Sequence, residues 1–427
     1  MPVKSLVTYN KTVLRNGLRV ITEKVPSARS ISIGVWVDVG SRDEEPRESG
    51  ISHFIEHMVF KGTKTRSAKN IASWLESLGG GLNAFTSREQ TCFYALVLDE
   101  HLEQAVDILA DITMNATMNP VNIEKEKLVV IEEIHEVEEN PSDYIHDIFS
   151  EYFWRGQAIG RPILGTEKII KSLNRKDIFN YLDEHYQAGR IVISAAGNIS
   201  HRKLVNLVRE KFGYPKGNGA RGEAAVVPKN KDIRFIKRQN QQNHVCIGFP
   251  GIPFDHPERY PMLGLYTYLG SGMSSVLFQK IREEKGMAYT IYTFADFYRD
   301  TGLFGVYFAS DKRHLSKAIE TILKELKKIK RYKLPESKLD KVKAQIKGNL
   351  TLSLESTSGR MIRLGRQELL SGEYCSLSEA LDRIDKIKSS EINDIARQIF
   401  KSEGLTITSL GPGSGKDIQN IDLDMLG

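Results

Sequence analysis

The chain states one pattern twice. His101-Leu102-Glu103-Gln104-Ala105 returns as His314-Leu315-Ser316-Lys317-Ala318. Pro120 stands ahead of one long helical pattern, and Pro335 stands ahead of another. The stretch from Lys176-Asp177-Ile178 to Ile193 is echoed from Ser390-Glu391-Ile392 to Ile407. Within each copy, strand patterns of period two alternate with groups of helical patterns, which specifies two similar α+β domains. A length of 427 residues also exceeds one ordinary core. Tyr214 to Lys231, rich in Gly, Pro, Lys and Asn, is the linker candidate. The expected division is therefore 1–214, a linker over 215–231, and 232–427.

Local signals fill in the first copy. Thr12–Arg15 and Leu18–Ile21 flank Asn16-Gly17, a type I′ hairpin signal. Ser30 to Val39 alternates as a half-buried strand. Ser67 can cap a helix that ends at Gly79-Gly80-Gly81, followed by strands over Leu82–Phe85 and Thr91–Leu98. Helical patterns cover His101–Met118, Ile123–Glu139, Tyr144–Phe153, Arg175–His185 and Arg202–Phe212, with a strand over Ile191–Ala196.

One short motif breaks the symmetry between the copies. His53-Phe54-Ile55-Glu56-His57 sets two imidazoles four apart, hence on one helix face, with Glu56 beside them. Zn²⁺ takes neutral imidazole nitrogen as a ligand, and a catalytic site keeps one position open for water. A carboxylate not bound to the metal can take that water's proton and pass it to a leaving amine. H-x-x-E-H is the inverzincin signature. The alternative is a polar patch on an amphipathic helix. The second copy has no such motif.

Two histidines and a water leave one tetrahedral position for another protein ligand. The helix Asn122–Glu139 offers several carboxylates. Glu126 and Glu133, two turns apart, share a face, and Glu132 lies about 100° away. Counting 6 and 13 residues from Pro120 reaches Glu126 and Glu133, and the same count from Pro335 reaches Lys341 and Gly348. The second copy keeps the scaffold without the carboxylates. Spacing alone leaves the choice among these glutamates open.

Over nearly its full length the chain resembles the pitrilysin family of metallopeptidases, which includes insulysin and the mitochondrial processing peptidase, and is most similar to two-domain bacterial members of processing-peptidase type. The resemblance implies Zn²⁺, one per chain, held by His53, His57 and Glu133, which stands 76 residues after His57. It implies Glu56 as general base and Glu126 as a supporting carboxylate. Leu82-Asn83-Ala84-Phe85-Thr86-Ser87 resembles the family's substrate-binding edge strand, so Asn83, Ala84 and Phe85 are expected to bind an extended peptide. Arg282 and Tyr289, within Leu277–Tyr289, resemble the family's substrate-positioning Arg/Tyr pair. Family architecture is a clamshell of two such two-domain halves, each domain an antiparallel-rich sheet covered by helices, with the Arg/Tyr pair facing the zinc from the opposite half. This chain has one half's length, so the resemblance implies a dimer. A homodimer is the economical version, and a heterodimer with an inactive paralogue is the other. The expected activity is zinc-dependent endopeptidase action on peptides or unfolded segments. The alternative is a proteolytically silent structural or peptide-binding member.

Composition sets limits. A net charge of +6, from 60 basic and 54 acidic residues, is mild and spread along the chain, which gives no argument for nucleic acid. The lysine-rich run Lys324–Arg331 reads as a solvated helix face. Cys92, Cys246 and Cys375 lack the spacing of a disulfide framework or thiolate site, which fits a reducing cytoplasm. Met1–Tyr9 lacks the apolar core of a signal peptide, as expected for a cytoplasmic bacterial protein. No apolar run approaches the roughly 20 residues that span a bilayer, so no membrane role is expected. Gly270–Ser275 lacks the ending of a phosphate-binding loop.

Overall fold

The computed structural model of the protein describes residues 7–426 except 78, 220 and 230. Met1–Leu6 of the N-terminal stretch, and Ala220 and Asn230 of the expected linker, lie outside the described residues. The chain is an α+β protein of two compact units.

The first unit is built on a six-stranded sheet. Its strands are β1 (Thr8–Val13), β2 (Arg19–Lys24), β3 (Ser30–Val37), β4 (Gly81–Thr86), β5 (Thr91–Leu98) and β6 (Ile191–Gly197), in the order β1-β2-β6-β3-β5-β4. Only β2 and β6 run parallel. The second unit has β7 (Asp232–Lys237), β8 (Asn243–Pro250), β9 (Thr290–Phe297), β10 (Gly302–Ser310) and β11 (Thr406–Gly411), in the order β7-β11-β8-β10-β9. Here β7 and β11 are the parallel pair. Without β1, the two sheets agree strand for strand in order and direction. The repeat seen in the sequence is thus a repeat of topology. The hairpin joining β1 to β2 differs from the type I′ expectation. Its loop is Arg15-Asn16-Gly17, closed by the Leu14 N–H to Leu18 O bond of 2.8 Å, and only Gly17 takes a positive φ. A three-residue loop needs one left-handed residue where a type I′ turn needs two.

The units do not follow the contiguous ranges 1–214 and 232–427. Residues 136–160 fall in the second unit and residues 352–374 in the first. The helix Thr357–Leu370 packs on β6, β3 and β2, while the helix Pro141–Phe153 packs on β11 and β8. Each half of the sequence therefore covers part of the other half's sheet. The fit is alike in both. A Cβ on Gly34 of β3 would stand 2.7 Å from Met361 Sδ, and one on Gly248 of β8 would stand 2.2 Å from Phe149 Cζ. The bare backbone of an inner strand lets a large helical side chain settle into the sheet. Helical periodicity marks the segment Tyr144–Phe153 but carries no information about which sheet receives it, and the helix Thr357–Leu370 was not among the expected elements.

The other sheet face of the first unit carries α1 (Ile51–Met58), α2 (Ala68–Ser77) and α3 (Leu102–Met114), and α4 (Pro120–Glu139) adds Ile123, Val130, Ile131 and Ile134 to the same apolar cluster. Ile33, Val35, Phe54, Ile55, Phe93, Ile108 and Ile131 belong to one buried apolar cluster there. The Ser67 hydroxyl accepts the Asn70 N–H and caps α2. Cys92, Cys246 and Cys375 are buried, and among the described residues none forms a disulfide. No described helix is long and apolar enough to cross a membrane.

Candidate metal centre

The helix that carries the histidines has only eight residues, so its ends need outside partners. Its N-cap, Gly50, sits at φ +96°, and a Cβ there would meet Leu164 O at 2.5 Å. Glycine brings no capping side chain, and Glu44 takes that role from the preceding loop. Its carboxylate accepts the Gly50 N–H at 2.7 Å and the Ser52 N–H at 2.9 Å. Burial raises the Glu44 pKa to about 8 against the pull of these bonds and of Arg161. Ile51, Phe54, Ile55 and Met58 are buried in the core, which fixes α1 about its own axis and sets the directions of His53 and His57.

The two rings lie 4.6 Å apart, centroid to centroid. Facing them is α4, which begins at Pro120, two residues earlier than the pattern indicated. Glu133 Oε2 lies 3.6 Å from His53 Nε2 and 3.6 Å from His57 Nε2. Seven residues earlier, Glu126 Oε1 accepts a bond from His57 Nδ1 at 2.9 Å, and Glu126 Oε2 meets Lys61 Nζ at 2.8 Å. With Nδ1 donating to Glu126, the His57 Nε2 lone pair is left facing Glu133.

His53, His57 and Glu133 form the group among the described residues whose ligand atoms all lie within 4.8 Å of one another. A separation of 3.6 Å is too long for a hydrogen bond. It lies close to the edge of a tetrahedron with ligand bonds of ~2.0–2.1 Å, which is about 3.3 Å. The His₂Glu donor set is one that zinc takes in catalytic sites. Geometry and donor chemistry both fit that ion.

The titratable groups are tuned apart. Burial, reinforced by His57, pushes His53 down to about 4 and keeps it neutral. Burial also opposes charge on His57, but the bond to Glu126 and the charges of Glu133, Glu126 and Glu56 outweigh it and raise its pKa. Glu126 is only 4% exposed, and burial works to raise its pKa. His57 and Lys61 overcome that and leave it lowered. Burial raises the Glu56 pKa, with partial relief from a bond donated by Thr86.

Asn83, Ala84 and Phe85 lie on β4, an edge strand paired only with β5. The Asn83 side chain is exposed, and its Oδ1 accepts the Ala84 N–H at 2.8 Å. Phe85 meets the edge of Trp36, with centroids 5.6 Å apart. In the second unit, Arg282 sits in the π-helical turn Phe278–Glu283, with its guanidinium 4.9 Å from the centre of the Tyr289 ring. Tyr289 is 71% exposed and directly precedes β9. A π-turn is a frequent mark of a functional position.

Three supporting residues escaped the sequence reading. Glu44 stands outside every motif that the sequence singles out. Lys61 follows His57 by one helical turn, a spacing that could have marked it as a partner for Glu126. Thr86 lay inside the recognised strand but without an assigned role.

Residues 19–167 match the family model described as Insulinase (Peptidase family M16), and residues 172–346 match the one described as Peptidase M16 inactive domain. The chain is 41% identical over 392 residues to the Bacillus subtilis (strain 168) protein described as "Uncharacterized zinc protease YmxG", covering 91% of this chain and 95% of that relative. Its fold is similar to that of a Helicobacter pylori protease, with a TM-score of 0.88 and 22% identity over 95% of this chain and all of the other. It is also similar to a chain of complex III2 from Candida albicans with Inz-5 bound, with a TM-score of 0.84 and 22% identity over 97% and 98% of the two chains. These features define a two-domain metallopeptidase-type scaffold. The chain belongs to Peptidase family M16.

Removing Glu126 by Glu126→Ala leaves Lys61 and the His57 Nδ1 proton without their acceptor. Zinc affinity, measured by competition with a chromophoric chelator, is expected to fall about 10–100-fold, the usual effect of losing an outer-shell partner. Unchanged affinity would contradict the role given to Glu126.

Proposed function

We propose that this protein is a zinc-dependent endopeptidase that cleaves peptides or unfolded protein segments, with Glu56 as general base. The observation that carries the reading is the His53–His57–Glu133 cluster with Glu56 on the same short helix and outside the ligand set. Zinc bound there would polarise a scissile carbonyl and acidify a water. Glu56 takes a proton from the attacking water and delivers it to the departing amine. Substrate adds as an extended strand along the open edge of β4, where main-chain bonds supply affinity and Asn83 a side-chain contact. The relatives described as zinc proteases support the same activity.

The test is Glu56→Gln, which keeps the shape of the side chain and removes the base. Zinc content and thermal unfolding should match the parent, while cleavage of an unstructured peptide should fall by at least about a hundredfold, the range of a general base. Retained cleavage would remove Glu56 from that role.

A proteolytically silent scaffold is the second reading, favoured by the match of residues 172–346 to an inactive domain and by the likeness in fold to the complex III2 chain. The metal-ligand set lies outside that inactive segment, which favours the enzyme.

The active assembly is a dimer, a homodimer in its simplest form, in which Arg282 and Tyr289 of one subunit position substrate on the zinc site of the other. The exposure of Tyr289 and its contact with the Arg282 guanidinium support this. A guanidinium or phenol can stabilise the oxyanion that forms at the attacked carbonyl. Mixing Glu56→Gln chains with Arg282→Ala chains should restore part of the activity through mixed dimers. Absence of recovery, with subunit exchange demonstrated by mass labelling, would contradict the arrangement.

A further inference from the structure

We propose that Thr86 is the positioning residue for Glu56, an inference that rests on the reading of Glu56 as the general base. Thr86 is the last residue of β4, and its hydroxyl donates to Glu56 Oε2 at 2.6 Å. That length belongs to a charge-assisted O–H···O⁻ bond. Glu56 Oε1 accepts no hydrogen bond from the described residues, so the two oxygens of one carboxylate are distinguished. One is held and the other is free. Rotation of a glutamate carboxylate about its terminal bond is soft. A single strong bond to one oxygen therefore decides where the other points.

The donor itself is firmly placed. Thr86 pairs with Thr91 of β5, whose hydroxyl donates to Val39 O at 2.9 Å. The turn that follows is closed by the Ser87 N–H to Gln90 O bond of 2.8 Å. Glu89 in that turn is held by Arg42 at 2.7 Å, with both side chains buried. The N–H groups of Ser41 and Arg42 donate to Ser87 O and Arg88 O. A donor fixed by its strand, its turn and a buried ion pair can hold a catalytic carboxylate to the tolerance that such a group needs.

In the reaction, Glu56 Oε1 receives the proton of the attacking water as the water's O–H bond breaks and its electron pair forms the bond to the carbonyl carbon. Oε1 then returns the proton to the amine nitrogen as the C–N bond breaks, while Oε2 stays with Thr86 throughout. Strand alternation sends the Thr86 side chain to the face opposite Asn83 and Phe85. A peptide aligned on the edge of β4 therefore orders the strand that aims the base. Docking and chemistry share one piece of backbone.

The test compares Thr86→Val, which keeps the branched shape and loses the hydroxyl, with Thr86→Ser, which keeps the hydroxyl and loses the methyl. Thr86→Val should lower kcat about 10–100-fold, as expected for a lost outer-shell bond, with KM and zinc content near those of the parent. Thr86→Ser should recover most of that loss. A parental kcat in Thr86→Val would overturn the proposal. So would loss of zinc in Thr86→Val, or a Thr86→Ser as slow as Thr86→Val, because either outcome assigns Thr86 to packing or to the metal. If the zinc-loaded parent cleaves no peptide, or Glu56→Gln cleaves as fast as the parent, the endopeptidase reading itself fails. A parent that is active only with Glu56, beside an unimpaired Thr86→Val, removes this inference alone.

Discussion

The bond between His57 Nδ1 and Glu126 Oε1 fixes the register of two helices against each other. A carboxylate taken out of water costs several kcal/mol unless its oxygens are paired. Glu126 satisfies both of its oxygens, one with His57 and one with Lys61, so there is one low-energy position for α4 beside α1. Seven residues further along α4, about 10 Å at helical rise, Glu133 arrives equidistant from the two Nε2 atoms. The same bond sets the His57 tautomer that leaves Nε2 available to a cation. Metal affinity and helix register therefore depend on one shared carboxylate.

The scaffold around this site is duplicated, but the chemistry is not. The second unit repeats the order and directions of five strands, and a long helix, Glu336–Ser353, again follows its proline. At the positions that matched the carboxylates stand Lys341 and Gly348, which supply no ligand. Each unit completes its sheet with a helix from the other half of the sequence, and Gly34 and Gly248 make room for the incoming side chains. Residues 1–214 alone would lack Met361, Leu364 and the rest of the helix that covers Trp36. This coupling gives the second half a structural part to play without a metal of its own.

Much of this was legible in the sequence because the informative residues lie close together or recur. The spacing of His53, Glu56 and His57 announced a helix face that sets two imidazoles and a carboxylate together, and the duplicated segments announced two like units. In the first copy, period-two and helical patterns located most of the strands and helices to within a few residues. The choice of Glu133 over Glu126 and Glu132 was not legible from spacing, because all three sit on one helix and only packing against α1 selects among them. Other supports were hidden for related reasons. Glu44 acts across a loop on a cap that glycine leaves vacant, and Thr86 acts through a side chain whose partner lies 30 residues away. The exchanged helices were hidden too, since amphipathic periodicity records that a face is buried and not what buries it.

The central claim is that one zinc ion is held by two imidazoles and a carboxylate in the first unit. Zinc-edge X-ray absorption on the metal-loaded chain tests it most directly. The account predicts a first shell of nitrogen and oxygen at ~2.0–2.1 Å with the outer scattering of two imidazole rings. In Glu133→Ala the same two imidazoles should remain, with the carboxylate replaced by water. A sulfur shell at about 2.3 Å, or a spectrum without imidazole scattering, would contradict it.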